Sequence, residues 1–212
     1  IGDLVEALRS LGCSIDYLSN EGYPPLKINK PNLRLDAPIS VRGDVSSQFL
    51  TALLLALPLV AKQDIHVDVV GELISKPYID ITIKLLARFG VTVQQQGWSR
   101  FTIPAGSKYK SPQEIYVEAD ASSASYFVAL GGLAATADKP LHILGVGAGS
   151  IQGDIKFVDA AAQMGVQIKS ESSSLTVWRN DWSKATGFLK AIDLDCNHIP
   201  DAAMTLAVMA LY

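Results

Sequence analysis

A unit that recurs about every 75 residues constrains this chain more than any other feature of it. In each copy a Ser-Ser or Pro-Asp step opens an apolar helix, and a strand, a second helix, a glycine and two strands follow. Ser46-Ser47 opens SSQFLTALLLALPLV, Ser122-Ser123 opens SSASYFVALGGLAA and Pro200-Asp201 opens PDAAMTLAVMALY, at steps of 76 and 78 residues. The second helices close alike on Gly12, Gly90 and Gly165, at steps of 78 and 75. Glycine just past a helix supplies the left-handed residue of a C-cap, so all three are expected at positive φ.

Each unit reads as βαβαββ. LDAPISVRG, QDIHVDVVG, YVEAD, PLHILGVG and AIDLD alternate as strands do, whereas 46–60, 76–89, 122–136 and 154–164 carry helical spacing. Ala61 to Asp64, Asp138 to Pro140 and Asn180 to Thr186 read as surface connections. The chain opens inside a second helix and stops inside an apolar first helix, so it is read as an internal piece of a longer protein. That piece holds the tail of one unit (1 to about 37), a full unit (38–106), another (115–180) and the head of a fourth.

Composition bounds the function. With 49% hydrophobic and only 18% charged residues the chain has much surface to bury. A net charge of -3, and no stretch that combines clustered Lys and Arg with aromatics, give no footprint for nucleic acid. The longest apolar run, Phe49 to Ala61, contains Thr51 and Pro58 and is too short to span a bilayer. Cys13 and Cys196 are the only cysteines, which points to a reduced, cytoplasmic setting rather than a disulfide framework.

Three segments could carry chemistry. Ser46-Ser47-Gln48 places hydroxyls and unsatisfied N–H groups at a helix N-terminus, where the dipole favours an anion such as phosphate; taken alone, a plain N-cap is the commoner reason for such serines. In SKPYIDI, Ser75 can cap the second helix with Pro77 in its first turn, and Tyr78 offers an aromatic face suited to a small carbocycle or sugar, or to the core. In DLDCNHIPDAAMT, Asp201 occupies the same helix-start slot as Ser46 and Ser123, as a cap or as a catalytic carboxylate. Cys196, His198 and Asp201 lack the second ligand pair of a metal site, and no metal is expected. The glycines of 145–154 match neither a P-loop nor GxGxxG.

At these residues the chain resembles the EPSP synthase family, the 3-phosphoshikimate 1-carboxyvinyltransferases. SSQFLTALL, SKPYIDIT, DASSASYF, QGDIKF and NHIPDAAMT look like that family's motifs, in order, across nearly all 212 residues. The resemblance implies an α/β enolpyruvyl transferase fold of two inside-out, barrel-like domains, incomplete here, with 1–118 in the first domain and 119–212 in the second. It implies transfer of the enolpyruvyl group of phosphoenolpyruvate to a hydroxyl of shikimate 3-phosphate, without metal or organic cofactor, by a cytoplasmic and monomeric enzyme. Ser46, Ser47, Gln48, Ser75 and Tyr78 would contact shikimate 3-phosphate, Gln48 also nearing phosphoenolpyruvate. Asp201 would hold the ring hydroxyls and accept the proton of the attacking one, while Ser122 and Ser123 stay structural.

Two residues depart from the family pattern: Ala119 stands where a glycine usually precedes the crossover Asp, and Arg42 stands where a neutral or acidic residue is expected. None of the six candidate residues is a cation, although both implied substrates are anions. The resemblance puts the missing cations outside residues 1–212, so these residues alone are expected to be inactive. The other readings are a sibling transferase acting on UDP-N-acetylglucosamine and a non-catalytic anion-binding module built from the same repeats.

Overall fold

The computed structural model describes residues 1–181, 187 and 189–212; the connection read over 180–186 lies outside the described residues at 182–186. Ile1–Glu114 and Ile115–Tyr212 form two compact units.

The first unit begins with α1 (Gly2–Ser10), β1 (Ile15–Tyr17) and β2 (Leu26–Ile28), the helix-strand-strand tail of a repeat. A complete βαβαββ copy follows: β3 (Ile39–Arg42), α2 (Ser47–Ala56), β4 (Ile65–Val70), α3 (Lys76–Arg88), β5 (Gln94–Gln96) and β6 (Arg100–Ile103). Its sheet runs β3-β4-β6-β5, with β3 and β4 parallel and the other pairs antiparallel. Alternation decides the faces: Ile39, Val41, Ile65, Val67, Phe101 and Ile103 are buried against Leu50, Leu53 and Leu54 of α2 and Ile79 and Leu86 of α3. The expected helix over 46–60 stops at Ala56 and tightens into a 3₁₀ turn at Leu57–Leu59, because Pro58 cannot continue the α-helical bonds.

The second unit holds α4 (Ala121–Ala134), β7 (Leu141–Leu144), α5 (Phe157–Gln163), β8 (Gln167–Ser170), β9 (Ser174–Trp178) and α6 (Ala203–Met209). Its sheet, β7-β9-β8, reproduces the β4-β6-β5 part of the first. Two expected strands are absent among the described residues: neither YVEAD nor AIDLD pairs in a ladder. At the first of them only the Ala119 N–H reaches the Gly145 carbonyl, at 2.8 Å, and Tyr116 and Val117 stay exposed. The helix expected over 154–164 is a 3₁₀ turn at Gly153–Lys156 followed by α5.

The repeat is written most clearly in the caps. Gly12, Gly90 and Gly165 have φ of 89°, 79° and 103°. After each, the next N–H bonds the carbonyl five residues back, as Cys13 to Leu8, Val91 to Leu86 and Val166 to Ala161. The glycine N–H itself bonds the carbonyl three residues back, at Arg9, Ala87 and Ala162. These are three Schellman motifs of identical register.

Candidate functional site

Because β3 and β4 are parallel, the helices that follow them, α2 and α3, open at the same edge of the sheet. The two entry loops are joined there: the Gly43 N–H donates to Val70 O (3.0 Å) and the Ile74 N–H donates to Gly43 O (3.1 Å). Ser46, Ser47, Gln48, Ser75 and Tyr78 therefore lie at one end of the first unit.

The serines divide their work. Ser46 is extended (φ -163°, ψ 131°) and its hydroxyl accepts the Gln48 N–H at 3.2 Å, so it is the N-cap of α2. Ser47, the first residue of the helix, is 8% exposed as a residue; no hydrogen bond among the described residues engages its hydroxyl, which is not one of the buried atoms left without a partner. Gln48 is exposed.

The sequence predicts that Ser75 caps α3, and it does not. It sits at the N-cap position with φ 54° and ψ 40°, a left-handed conformation uncommon for a residue with a Cβ, and makes no side-chain capping bond. Pro77 does occupy the first turn, and Tyr78, half-buried, donates its N–H to Ser75 O at 3.1 Å. Arg42 is spoken for: its guanidinium donates to both Asp44 carboxylate oxygens, at 3.1 and 2.9 Å. That bond holds the Asp44 carboxyl below its ordinary range. The unexpected cation is thus neutralised by an equally local anion.

The second unit places its candidates differently. The N-cap of α4 is Asp120, two residues ahead of the expected Ser122; it accepts the Ser122 N–H at 3.1 Å and the Ser123 hydroxyl at 2.5 Å. The Ser123 bond, reinforced by bonds from Ser122, holds the Asp120 carboxyl below its ordinary range. Ser122 donates its hydroxyl to Asp154 at 2.5 Å. Both serine hydroxyls are therefore spent inside the protein. Asp201 does not cap its helix either. The N-cap of α6 is Ala202, and Asp201 lies exposed in the preceding turn. The Ala202 N–H closes that turn on Ile199 O, delaying the helix by two residues.

Sequence reasoning missed Asp154. It is 6% exposed, and its Oδ1 has no hydrogen-bond partner among the described residues. Burial pushes its carboxyl up, the Ser122 bond opposes this, and the charges of Asp201 and Asp120 push it up further. The charges of two carboxylates thus reach the buried third, a setting that suits hydroxyl donors such as Ser122 better than anions. Gln152 and Glu118 brace the same region: Gln152 donates to Glu118 (3.2 Å) and Ala119 O (2.8 Å) and accepts the Ala121 N–H (2.9 Å). Among the described residues no three His, Cys, Asp or Glu side chains are placed to hold a metal ion, and no helix is long and apolar enough to cross a membrane.

A family model described as EPSP synthase (3-phosphoshikimate 1-carboxyvinyltransferase) matches residues 1–212. The chain belongs to the EPSP synthase family. It is 58% identical to the 3-phosphoshikimate 1-carboxyvinyltransferase of Cupriavidus taiwanensis and 57% identical to that of Ralstonia pickettii, each match covering all of this chain and 48% of the relative. The chain spans about half the length of the curated relatives it matches. Among solved structures, EPSP synthase from Acinetobacter baumannii aligns with a TM-score of 0.65 and 20% identity, over 97% of this chain and 44% of that one. The enolpyruvyl transferase NikO from Streptomyces tendae aligns with a TM-score of 0.66 and 16% identity, over 99% and 48%. At these identities the likeness speaks for the enolpyruvyl transferase fold, a mixed α/β architecture with no closed barrel among the described residues.

Proposed function

We propose that the full-length protein carrying these residues transfers the enolpyruvyl group of phosphoenolpyruvate to a hydroxyl of shikimate 3-phosphate and releases inorganic phosphate, as a monomeric cytoplasmic enzyme with 1–118 and 119–212 in its two domains. The observation that carries this reading is the joined opening of α2 and α3 at one end of the first unit, where Ser46 and Ser47 start a ten-residue helix, in a chain whose whole length matches the family. The α2 N-terminus offers N–H donors and the positive end of a dipole to a phosphate. Ser47 and Ser75 add hydroxyls that no capping bond consumes. Gln48 and Tyr78 extend the same end of the unit toward the rest of the substrate.

Asp201 supplies the other half of the chemistry. It is an exposed carboxylate, open to a substrate hydroxyl, and a positioned carboxylate can take a proton from one. In this reading Asp201 takes the proton of the attacking hydroxyl as its oxygen bonds to C2 of phosphoenolpyruvate, and C3 gains a proton. The C2–O bond to phosphate then breaks, and C3 loses a proton to restore the double bond.

Titration calorimetry tests the assignment. The full-length protein is expected to bind shikimate 3-phosphate and to ignore UDP-N-acetylglucosamine; preference for the nucleotide sugar, or binding of neither, would overturn it.

A further inference from the structure

One turn below the candidate residues, each unit contains a bridge between two side-chain hydroxyls on neighbouring helices, part-buried in the first unit and buried in the second. In the first unit Thr51 of α2 and Thr82 of α3 lie 3.1 Å apart, Oγ1 to Oγ1. Thr82 also donates to the Tyr78 carbonyl at 3.0 Å. A hydroxyl has a single proton, so Thr51 is the donor to Thr82, and the chain runs Thr51 to Thr82 to the backbone of Tyr78. In the second unit Ser125 of α4 and Thr205 of α6 lie 3.0 Å apart, and Ser125 donates to the Ser122 carbonyl at 2.6 Å. The same count makes Thr205 the donor. Thr82, Ser125 and Thr205 are all buried.

The spacing ties these bridges to the site. Thr51 stands four residues after Ser47, Thr82 four after Tyr78, and Thr205 four after Asp201. Residues four apart lie on one face of a helix, one above the other. Thr51 and Thr205 also occupy the same slot of the repeat, five residues after the openings at Ser46 and Pro200. Apolar packing alone lets neighbouring helices slide by fractions of an ångström, whereas a hydroxyl bridge that ends on the backbone of a site residue accepts one register only.

We propose that Thr51 and Thr82 are positioning residues: their bridge sets the register of α2 against α3, and so the spacing of Ser47 and Gln48 from Ser75 and Tyr78. The proposal rests on the reading of that end of the unit as the shikimate 3-phosphate site. A purely structural bridge would fill the same space without touching affinity.

The test is a pair of variants of the full-length protein. Thr51→Val with Thr82→Val removes both hydroxyls at nearly constant volume and leaves neither partner orphaned, so the folded state should survive with a near-normal melting temperature. Its dissociation constant for shikimate 3-phosphate should rise about three- to thirtyfold. Thr51→Ser with Thr82→Ser, which restores the hydroxyls, should recover most of the loss. An unchanged constant in the folded Val variant overturns the proposal while leaving the function standing, provided the unaltered protein binds shikimate 3-phosphate. If the unaltered protein does not bind it, function and positioning fall together. Should the double variant fail to unfold cooperatively, Thr51→Val alone, which keeps the Thr82–Tyr78 bond, replaces it, and unchanged affinity there is equally fatal.

Discussion

Replacing Ser47 by alanine separates a ligand hydroxyl from a structural one, because the structure predicts opposite signs for the two. No hydrogen bond among the described residues engages the Ser47 hydroxyl, so its removal breaks nothing in the described fold. Alanine favours a helix over serine by about 0.5 kcal/mol. The melting temperature of Ser47→Ala should therefore hold or rise slightly. Binding should move the other way. A hydroxyl lost from a charged phosphate contact costs about 1–3 kcal/mol, a rise of about five- to 150-fold in the dissociation constant for shikimate 3-phosphate.

Two other serines serve as controls in the same full-length protein. Ser46→Ala removes the cap bond to the Gln48 N–H and should cost about 1 kcal/mol of stability. Ser123→Ala removes a bond to Asp120 within the protein and should leave affinity unchanged. Calorimetric titration and thermal unfolding, run on all three, separate a ligand contact from a cap. Equal losses of affinity at Ser47 and Ser123, or a stability loss at Ser47 without an affinity loss, would refute the reasoning and return the serines to the repeat.

Asp201→Asn should lower turnover by about 10²- to 10⁴-fold with shikimate 3-phosphate still bound; normal turnover in a folded variant would remove Asp201 from catalysis. Ala202 and not Asp201 is the N-cap of α6, and the isosteric Asn keeps a hydrogen-bonding side chain in the turn, so the melting temperature should change little. Asp154 is held above its ordinary value of 3.8, so its contribution to stability is present below that value and is lost as pH rises through the raised one. Asp154→Asn should accordingly gain stability relative to the unaltered protein as pH climbs from about 4, and parallel melting curves across pH would contradict this. Gly12→Ala places a Cβ 1.9 Å from the Asn32 carbonyl oxygen at φ 89°, which should cost at least about 3 kcal/mol in chemical denaturation; a small effect would mean the loop over 30–33 can move aside.

The repeat, its caps and the apolar faces of α2 and α3 were legible because each is a local pattern: one glycine past a helix, one period of alternation, one run of leucines. The strand at YVEAD was not. Alternation shows that a segment can pair, but pairing also needs a neighbour in register, and here the contact with β7 ends after one bond at Gly145. The helix-start caps failed for a related reason. Ser75, Ser122 and Asp201 are all good capping residues, yet capping depends on backbone angles a few residues either side. Ser75 is left-handed, Asp120 reaches α4 first, and a turn closed by Ala202 on Ile199 comes before α6. Asp154 left no local signal at all, since its importance comes from burial and from carboxylates more than thirty residues away in sequence. Thr51 and Thr82 did leave one, the i+4 spacing from Ser47 and Tyr78, which a search for charged and nucleophilic residues passes over.

That contrast bears on how one repeat comes to hold different chemistry in each copy. At the opening of α2 a serine caps and leaves the next hydroxyl unspent, whereas at α4 an aspartate caps and the two hydroxyls after it are consumed by Asp120 and Asp154. At α6 the cap is an alanine, and the carboxylate is displaced into the preceding turn, off the capping position. The helix opening does not itself define a site. What distinguishes the serine copies is whether the protein spends the hydroxyl internally, and that depends on partners supplied from elsewhere in the fold. By this criterion the Ser47 hydroxyl stays available to a ligand and those of Ser122 and Ser123 do not, although all three fall within the openings that the repeat lays over one another.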